Sequence, residues 1–286
     1  MNMKLYNLHT HTHYCDGSGD PEEYVKSAIG AGFHTLGFSS HGPVPFPNNF
    51  AIRDDAALKS YCSEIRALKE KYSGQIDIFL GLELDYIAGI TQDFSIYRES
   101  CGLDYIIGSL HLVRNGSDTR LWFIDGAKVE KYDDGLKDIF GGDVRKAITT
   151  YFRQVNEMIL TQKPDIVGHF DKIKMHNKGR YFREDEAWYR DLVMETLENI
   201  KKVGCITEVN TRGIYKKRSD DLYPSTWILE HMNTMGLPIT LSADAHQPSE
   251  IDGHYSESIE ILKRIGFRSL KYLTSAGWAD NPFSWK

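Results

Sequence analysis

Seven short runs of apolar residues recur along the chain: Leu5–Leu8, Thr35–Phe38, Ile76–Leu84, Tyr105–Leu112, Ile166–Phe170, Ile206–Val209 and Pro238–Leu241. They are rich in Ile, Leu, Val and Phe and nearly free of polar interruption, the pattern of strands buried on both faces. Amphipathic helical patterns fall between them. Asp20-Pro21-Glu22-Glu23 is a helix start, with a capping side chain, Pro at the first helical position and acids in the first turn; Gly30–Gly32 stops that helix. A second helix is expected from about Asp54 to Tyr72, with Leu58, Cys62, Ile65 and Leu68 on one face. A third starts at Asp143, and others cover about 184–203, 225–235 and 256–265. Strands alternating with helices imply parallel pairing through right-handed crossovers. The fold class is therefore α/β, either an open doubly wound sheet or a closed barrel. No G-x-G-x-x-G follows the first strand, which weakens the dinucleotide-binding open sheet.

The strand ends decide between the two. The first run is followed by His9 and His11, with His13 and Asp16 just beyond. The second gives His41, the third Glu83 and Asp85, the fourth His111, the fifth His169 and Asp171, the sixth Glu208 and Asn210, and the seventh Asp244 and His246. In a parallel barrel all these ends meet on one face, where such enzymes build their active sites. His9 and His11 are two apart, as are Asp244 and His246, so on extended backbone each pair points one way. Imidazole and carboxylate without thiolate suit zinc, manganese or iron, and the donors are too many for one ion. A lone histidine is more often structural than a ligand, so His34, His176, His231 and His254, off the strand ends, are read as non-ligands. His13 shares the phase of His9 and His11, but a third in-phase residue lies ~13 Å from the first along a strand. Asp16 competes with it, because Asp16-Gly17 favours a turn that folds the carboxylate back.

Composition changes the picture only slightly. The chain of 286 residues is 41% hydrophobic and 26% charged, ordinary for a globular protein. No apolar run approaches the roughly 20 residues that span a bilayer. Met1-Asn2-Met3-Lys4-Leu5 has no secretory apolar region, so a cytoplasmic location is expected. Cys15, Cys62, Cys101 and Cys205 are scattered, without a C-x-x-C pair, which suits a reducing compartment. A net charge of -6 argues against a nucleic-acid backbone binder.

His9-Thr10-His11-Thr12, Ser40-His41-Gly42, Gly81-Leu82-Glu83, Ser109-Leu110-His111, Gly168-His169-Phe170-Asp171 and Ser242-Ala243-Asp244-Ala245-His246, in this order, resemble the polymerase and histidinol phosphatase (PHP) family. Segments 165–171, 208–213 and 223–225 are similar to its histidinol-phosphate phosphatase branch. The resemblance implies a distorted (β/α)7 TIM-like barrel, one domain over 1–286, holding three divalent ions (zinc, iron or manganese). By position, His9, His11, Glu83 and Asp244 would surround one ion; Glu83 would bridge to a second, held with His111 and His169; His41, His246 and Asp16 would hold the third. Asn7 stands where many members have Asp.

The implied reaction is hydrolysis of L-histidinol phosphate to L-histidinol and phosphate, a step of histidine biosynthesis, with a metal-bridging hydroxide as nucleophile. Asp244 or His246 would relay a proton to the leaving oxygen. Arg153, Arg212 and His41 are the candidates for binding phosphate, a guanidinium fork matching its oxygens. Residues 114–143 show little periodicity and follow a catalytic strand end, so they are expected to cover the site. There Trp122 or Phe123 would pack an imidazole and Asp125 answer an amine, unless the segment is only an apolar cluster pinning the loop. The alternatives are a nucleotide phosphoesterase or exonuclease on the same scaffold, and a non-catalytic metal-binding barrel.

Overall fold

A computed structural model describes residues 3–116 and 118–283. Its strands are β1 (Tyr6–Asn7), β2 (Thr35–Phe38), β3 (Asp77–Asp85), β4 (Tyr105–Ser109), β5 (Leu112–Arg114), β6 (Leu121–Phe123), β7 (Ile166–Val167), β8 (Ile206–Asn210), β9 (Ile239–Ser242), β10 (Ser269–Thr274) and β11 (Gly277–Pro282). Its helices are α1 (Pro21–Gly30), α2 (Asp55–Lys71), α3 (Phe94–Cys101), α4 (Val129–Phe140), α5 (Val144–Gln162), α6 (Ala187–Val203), α7 (Arg212–Tyr215), α8 (Thr226–Met235) and α9 (Tyr255–Ile265). Seven strands pair in the order β1-β2-β3-β4-β7-β8-β9, and every pairing is parallel. The edges β1 and β9 meet just past their ends, where His11 N donates to Ala245 O at 2.8 Å and Ala245 N to His9 O at 3.0 Å. The result is a nearly closed (β/α)7 barrel.

Side chains close the rest of the seam. Tyr6 Oη accepts from Leu241 N at 3.1 Å, and Asn7 Oδ1 accepts from His9 N at 3.1 Å while its Nδ2 donates to Ile251 O at 3.3 Å. An amide both donates and accepts, which an ionised Asp cannot do, so Asn7 suits this seam. Tyr105 lies across β2 and β3, its hydroxyl donating to Leu8 O at 2.5 Å. Gly37 and Gly81 make room for it, since a Cβ at either would stand 2.4–2.5 Å from the Tyr105 side chain.

Some strand limits differ from the sequence reading. The barrel strand expected through Leu112 ends at Ser109, and Leu112 opens an antiparallel hairpin with β6. The run through Phe170 is regular only at Ile166–Val167. Segment 114–143 is more ordered than its expected lack of periodicity: it contains β6 and α4, whose Tyr132, Leu136, Ile139 and Phe140 form one buried stripe. The hairpin β10–β11 was also not anticipated; Asn281 ties it to the first strand region, Lys4 N donating to its Oδ1 at 3.0 Å. No helix among the described residues is long and apolar enough to cross a membrane.

Candidate metal centre

Short strands ending in polar residues bring imidazoles and carboxylates together at one mouth of the barrel. Glu83, near the end of β3, is 1% exposed and lies at the middle. Its Oε2 stands 3.1 Å from His9 Nε2, 3.3 Å from His11 Nε2 and 3.3 Å from His41 Nδ1; its Oε1 stands 3.0 Å from His169 Nε2 and 3.7 Å from His111 Nε2. Asp244 Oδ1 is 3.4 Å from both His11 Nε2 and His246 Nδ1. Asp16 folds back as a turn allows: its Oδ1 is 3.3 Å from His246 Nε2, 3.6 Å from His11 Nδ1 and 4.0 Å from His41 Nε2. His13 points elsewhere, 3.2 Å from Asp20 and largely exposed.

These contacts are not a satisfied hydrogen-bond network. His9 Nε2, His11 Nε2, His41 Nδ1 and His169 Nε2 are buried and have no hydrogen-bond partner. A buried polar atom left so costs about 1–3 kcal/mol, and four in one place call for an explanation. Two ligands each about 2.1 Å from a tetrahedral ion stand about 3.4 Å apart, and the separations above cluster at that value. Among the described residues, four overlapping groups of donors could each hold an ion: His9-His11-Asp244, His9-Glu83-His169, His11-Asp16-His41 and His41-Glu83-His111. The donor chemistry fits several divalent cations, and no part of it needs a thiolate.

Around this layer lies a second that aims it. Glu208 Oε1 takes His9 Nδ1 at 2.5 Å and Asp85 Oδ1 takes His111 Nδ1 at 2.7 Å, fixing which ring nitrogen faces the cluster. Ser109 Oγ donates to Glu83 Oε1 at 2.6 Å, and Asn210 Nδ2 to Asp244 Oδ2 at 3.1 Å. Sequence reasoning placed Asp85, Glu208 and Asn210 at the strand ends without assigning them this work. Electrostatics follows from the surplus of carboxylates. Burial opposes a charge on His9, but Glu208, Glu83 and Asp244 outweigh it and push the imidazole up to about 10. His111 is likewise held up at about 9, burial being overcome by Asp85, Asp125 and Glu83. His246 goes the other way, to about 4, through burial and the neighbouring His11. The carboxylate surplus thus favours positive charge at His9 and His111, the kind of charge that divalent cations would supply.

The phosphate candidates fare unequally. Arg153 needs correcting: it lies on the solvent face of α5, beside Arg145, Lys146 and Thr149, because its neighbours Phe152 and Val155 occupy the buried face. Arg212 is buried next to the cluster, but its Nη1 donates to Asp244 O at 2.7 Å and lies 3.3 Å from Glu250, so it braces the backbone. That backbone needs bracing, since Asp244 sits at φ 52°, sparsely populated for a non-glycine. His41 stays in the cluster. Trp122 is buried and donates to Tyr132 O at 2.9 Å, pinning the 114–143 segment. Phe123 stacks on Phe50 at 5.8 Å, and Phe50 meets His41 edge-on at 5.4 Å. Asp125 Oδ2 lies 3.8 Å from His111 Nε2 and 2.8 Å from Lys172 Nζ, a lysine that sequence reasoning passed over. His34, His176, His231 and His254 are outside the cluster; His176 Nε2, for example, meets Gly126 O at 2.7 Å.

Comparison with known proteins bears on the family and the fold. The family model for the PHP domain matches residues 7–212. A histidinol-phosphatase of Bacillus subtilis is 29% identical over 275 residues, covering 90% of this chain and 99% of its own. A Listeria monocytogenes crystal structure described as a candidate histidinol phosphatase superposes with a TM-score of 0.78 at 24% identity, over 88% of this chain and 99% of that one. A Lactococcus lactis histidinol phosphate phosphatase, crystallised with zinc, L-histidinol and phosphate, gives a TM-score of 0.66 at 20% identity, over 96% of this chain and 99% of that one. The two structures share the fold.

Proposed function

This chain belongs to the PHP domain family, and from that membership we propose that it hydrolyses L-histidinol phosphate to L-histidinol and phosphate. The observation that carries the reading is the convergence of four buried, unpartnered ring nitrogens on Glu83 and Asp244. The near full-length similarity to a histidinol-phosphatase supports the substrate. In this reading His9, His11, Glu83 and Asp244 hold one ion, Glu83 with His111 and His169 a second, and Asp16, His41 and His246 a third. Zinc, iron and manganese all accept these donors; bound there, such cations lower the pKa of water and neutralise phosphoryl oxygens.

The chain's own residues do the rest. Glu208 and Asp85 hold the rings of His9 and His111 in one tautomer and orientation. Arg212 and Asn210 fix Asp244 from its carbonyl and carboxylate sides. Proton delivery to the leaving oxygen falls to the Asp244–His246 pair, whose facing atoms are 3.4 Å apart. Segment 114–143 acts as the cover, bringing Phe123 against Phe50 and Asp125 to His111. The reading also places the protein in the cytoplasm, acting on a small phosphate ester and not on nucleic acid, in keeping with the net charge of -6.

The test is phosphate release by purified, metal-loaded protein from L-histidinol phosphate, AMP and a short single-stranded DNA. Turnover far faster on the first is expected. Nucleotide or DNA turnover with histidinol phosphate inert would overturn the substrate, and silence on all three would favour a binding role.

A further inference from the structure

Arg153 points to solvent and Arg212 Nη1 braces the Asp244 backbone, so neither is aimed at the cluster through those atoms. The turn after β7 supplies a further candidate for binding phosphate. Residues 172–174 form one 3-10 turn directly after His169-Phe170-Asp171, and it carries two buried lysines. An ammonium has three N–H donors. Lys174 spends all three inside the protein: on Asp171 Oδ2 at 2.8 Å, on Leu222 O at 2.8 Å, and on Ser225 Oγ. Lys172 spends one on Asp125 Oδ2 at 2.8 Å, and its other nearby carboxylate, Asp244 Oδ2, is 3.9 Å away, beyond a hydrogen bond. A buried ammonium with donors to spare therefore stands within 4 Å of a carboxylate at the centre of the cluster.

Resting on the phosphoesterase reading of this site, we infer that Lys172 is a side chain that binds the phosphate group, and that Asp125 is the residue that positions it. The charge balance supports this. Cations in the cluster would take up the charge of Glu83 and Asp244, leaving Asp125 as the immediate counter-charge of Lys172. A phosphate dianion in the mouth then offers oxygens to the free N–H groups. Asp125 reaches the ammonium from segment 114–143, so the cover and the phosphate site are one device: when the segment is seated, Lys172 is aimed. Its second oxygen, Oδ1, is buried without a partner, so the carboxylate is held by Lys172 through Oδ2 and not by a network of its own.

Inorganic phosphate is the probe, measured by calorimetry on metal-loaded protein together with metal content and kinetics. A hydrogen bond from a charged group is worth a factor of about 10 to 100. Lys172→Gln is expected to weaken phosphate binding by at least about tenfold and to raise KM more than it lowers kcat, with metal content unchanged; Lys172→Arg keeps most of the affinity. Asp125→Asn should weaken phosphate binding too, and Asp125→Glu should recover part of it at equal metal content, a rescue that a merely structural role would not give. If Lys172→Gln does not fold because Asp125 is left unpaired, the double variant Lys172→Gln/Asp125→Asn removes both charges and must bind phosphate weakly. Phosphate bound by Lys172→Gln as tightly as by the parent, or metal lost in place of phosphate, would overturn the inference. Because the probe is phosphate itself, an enzyme that proves inert on histidinol phosphate yet binds phosphate through Lys172 defeats the proposed substrate and leaves this inference standing.

Discussion

Two buried polar networks share the turn after β7, and they are built on opposite principles. Around Lys174 most polar groups satisfy one another: Asp171 Oδ2 accepts from Lys174 at 2.8 Å and from Ser225 N at 2.9 Å, and Ser225 Oγ donates to Glu184 at 2.6 Å, while Asp171 Oδ1 is left buried without a partner. Around Lys172 they do not: four ring nitrogens and oxygens of Asp85 and Asp125 are buried without partners. The first network spends all three donors of its ammonium internally and holds α8 and the Glu184 loop to the barrel. The second is left open for something that the chain does not contain. Both are buried; the convergence of several unpartnered atoms on one opening separates chemistry from structure.

The comparison breaks first at Glu83. Glu83→Gln should lower kcat/KM for phosphate release by about a thousandfold or more, since metal catalysis supplies several kcal/mol, and reduce metal per chain. Full activity would mean that the open network is misread. At Lys174 the expected damage is to stability. Lys174→Met should cost about 3 kcal/mol of unfolding free energy, seen in chemical denaturation, with metal content unchanged. The deficit should shrink on acidification: burial, only partly offset by Lys174, already pushes the Asp171 carboxyl up to about 6. A carboxyl whose folded pKa exceeds its unfolded value regains stability as pH falls through the folded pKa. A third variant, Glu208→Gln, leaves every proposed ligand in place but loosens His9, so metal affinity should fall about 10- to 100-fold in a chelator competition. The smallest effect belongs to Arg153→Ala, which should leave stability within about 0.5 kcal/mol and kcat/KM within a factor of about two; a large kinetic loss would bring Arg153 back toward the substrate.

Much of the fold was legible because barrel strands carry their signal locally. Thr35–Phe38 is a strand within the expected limits, and the capping box of Asp20 and Glu23 opens α1 where Pro21 predicts. Apolar runs overshoot where burial continues after the ladder ends, as at Leu110 and Phe170, because composition reports burial and not pairing. The stripe Tyr132-Leu136-Ile139-Phe140 was present in the sequence and went unread among the charges of α4. The histidines and carboxylates could be found because a parallel barrel gathers its strand ends. Arg153 was misplaced although the phase of Phe152 and Val155 points it outward. The pairing of Lys172 with Asp125 was not legible at all: it joins residues 47 apart through the seating of a hairpin that only tertiary structure defines.

The claim that the open network is a multinuclear metal centre is tested most directly by metal stoichiometry. Purified protein titrated with manganese or zinc and analysed by mass spectrometry should bind close to three ions per chain, falling in Glu83→Gln. Fewer than one tightly bound ion, with phosphatase activity surviving exhaustive chelation, would contradict the account.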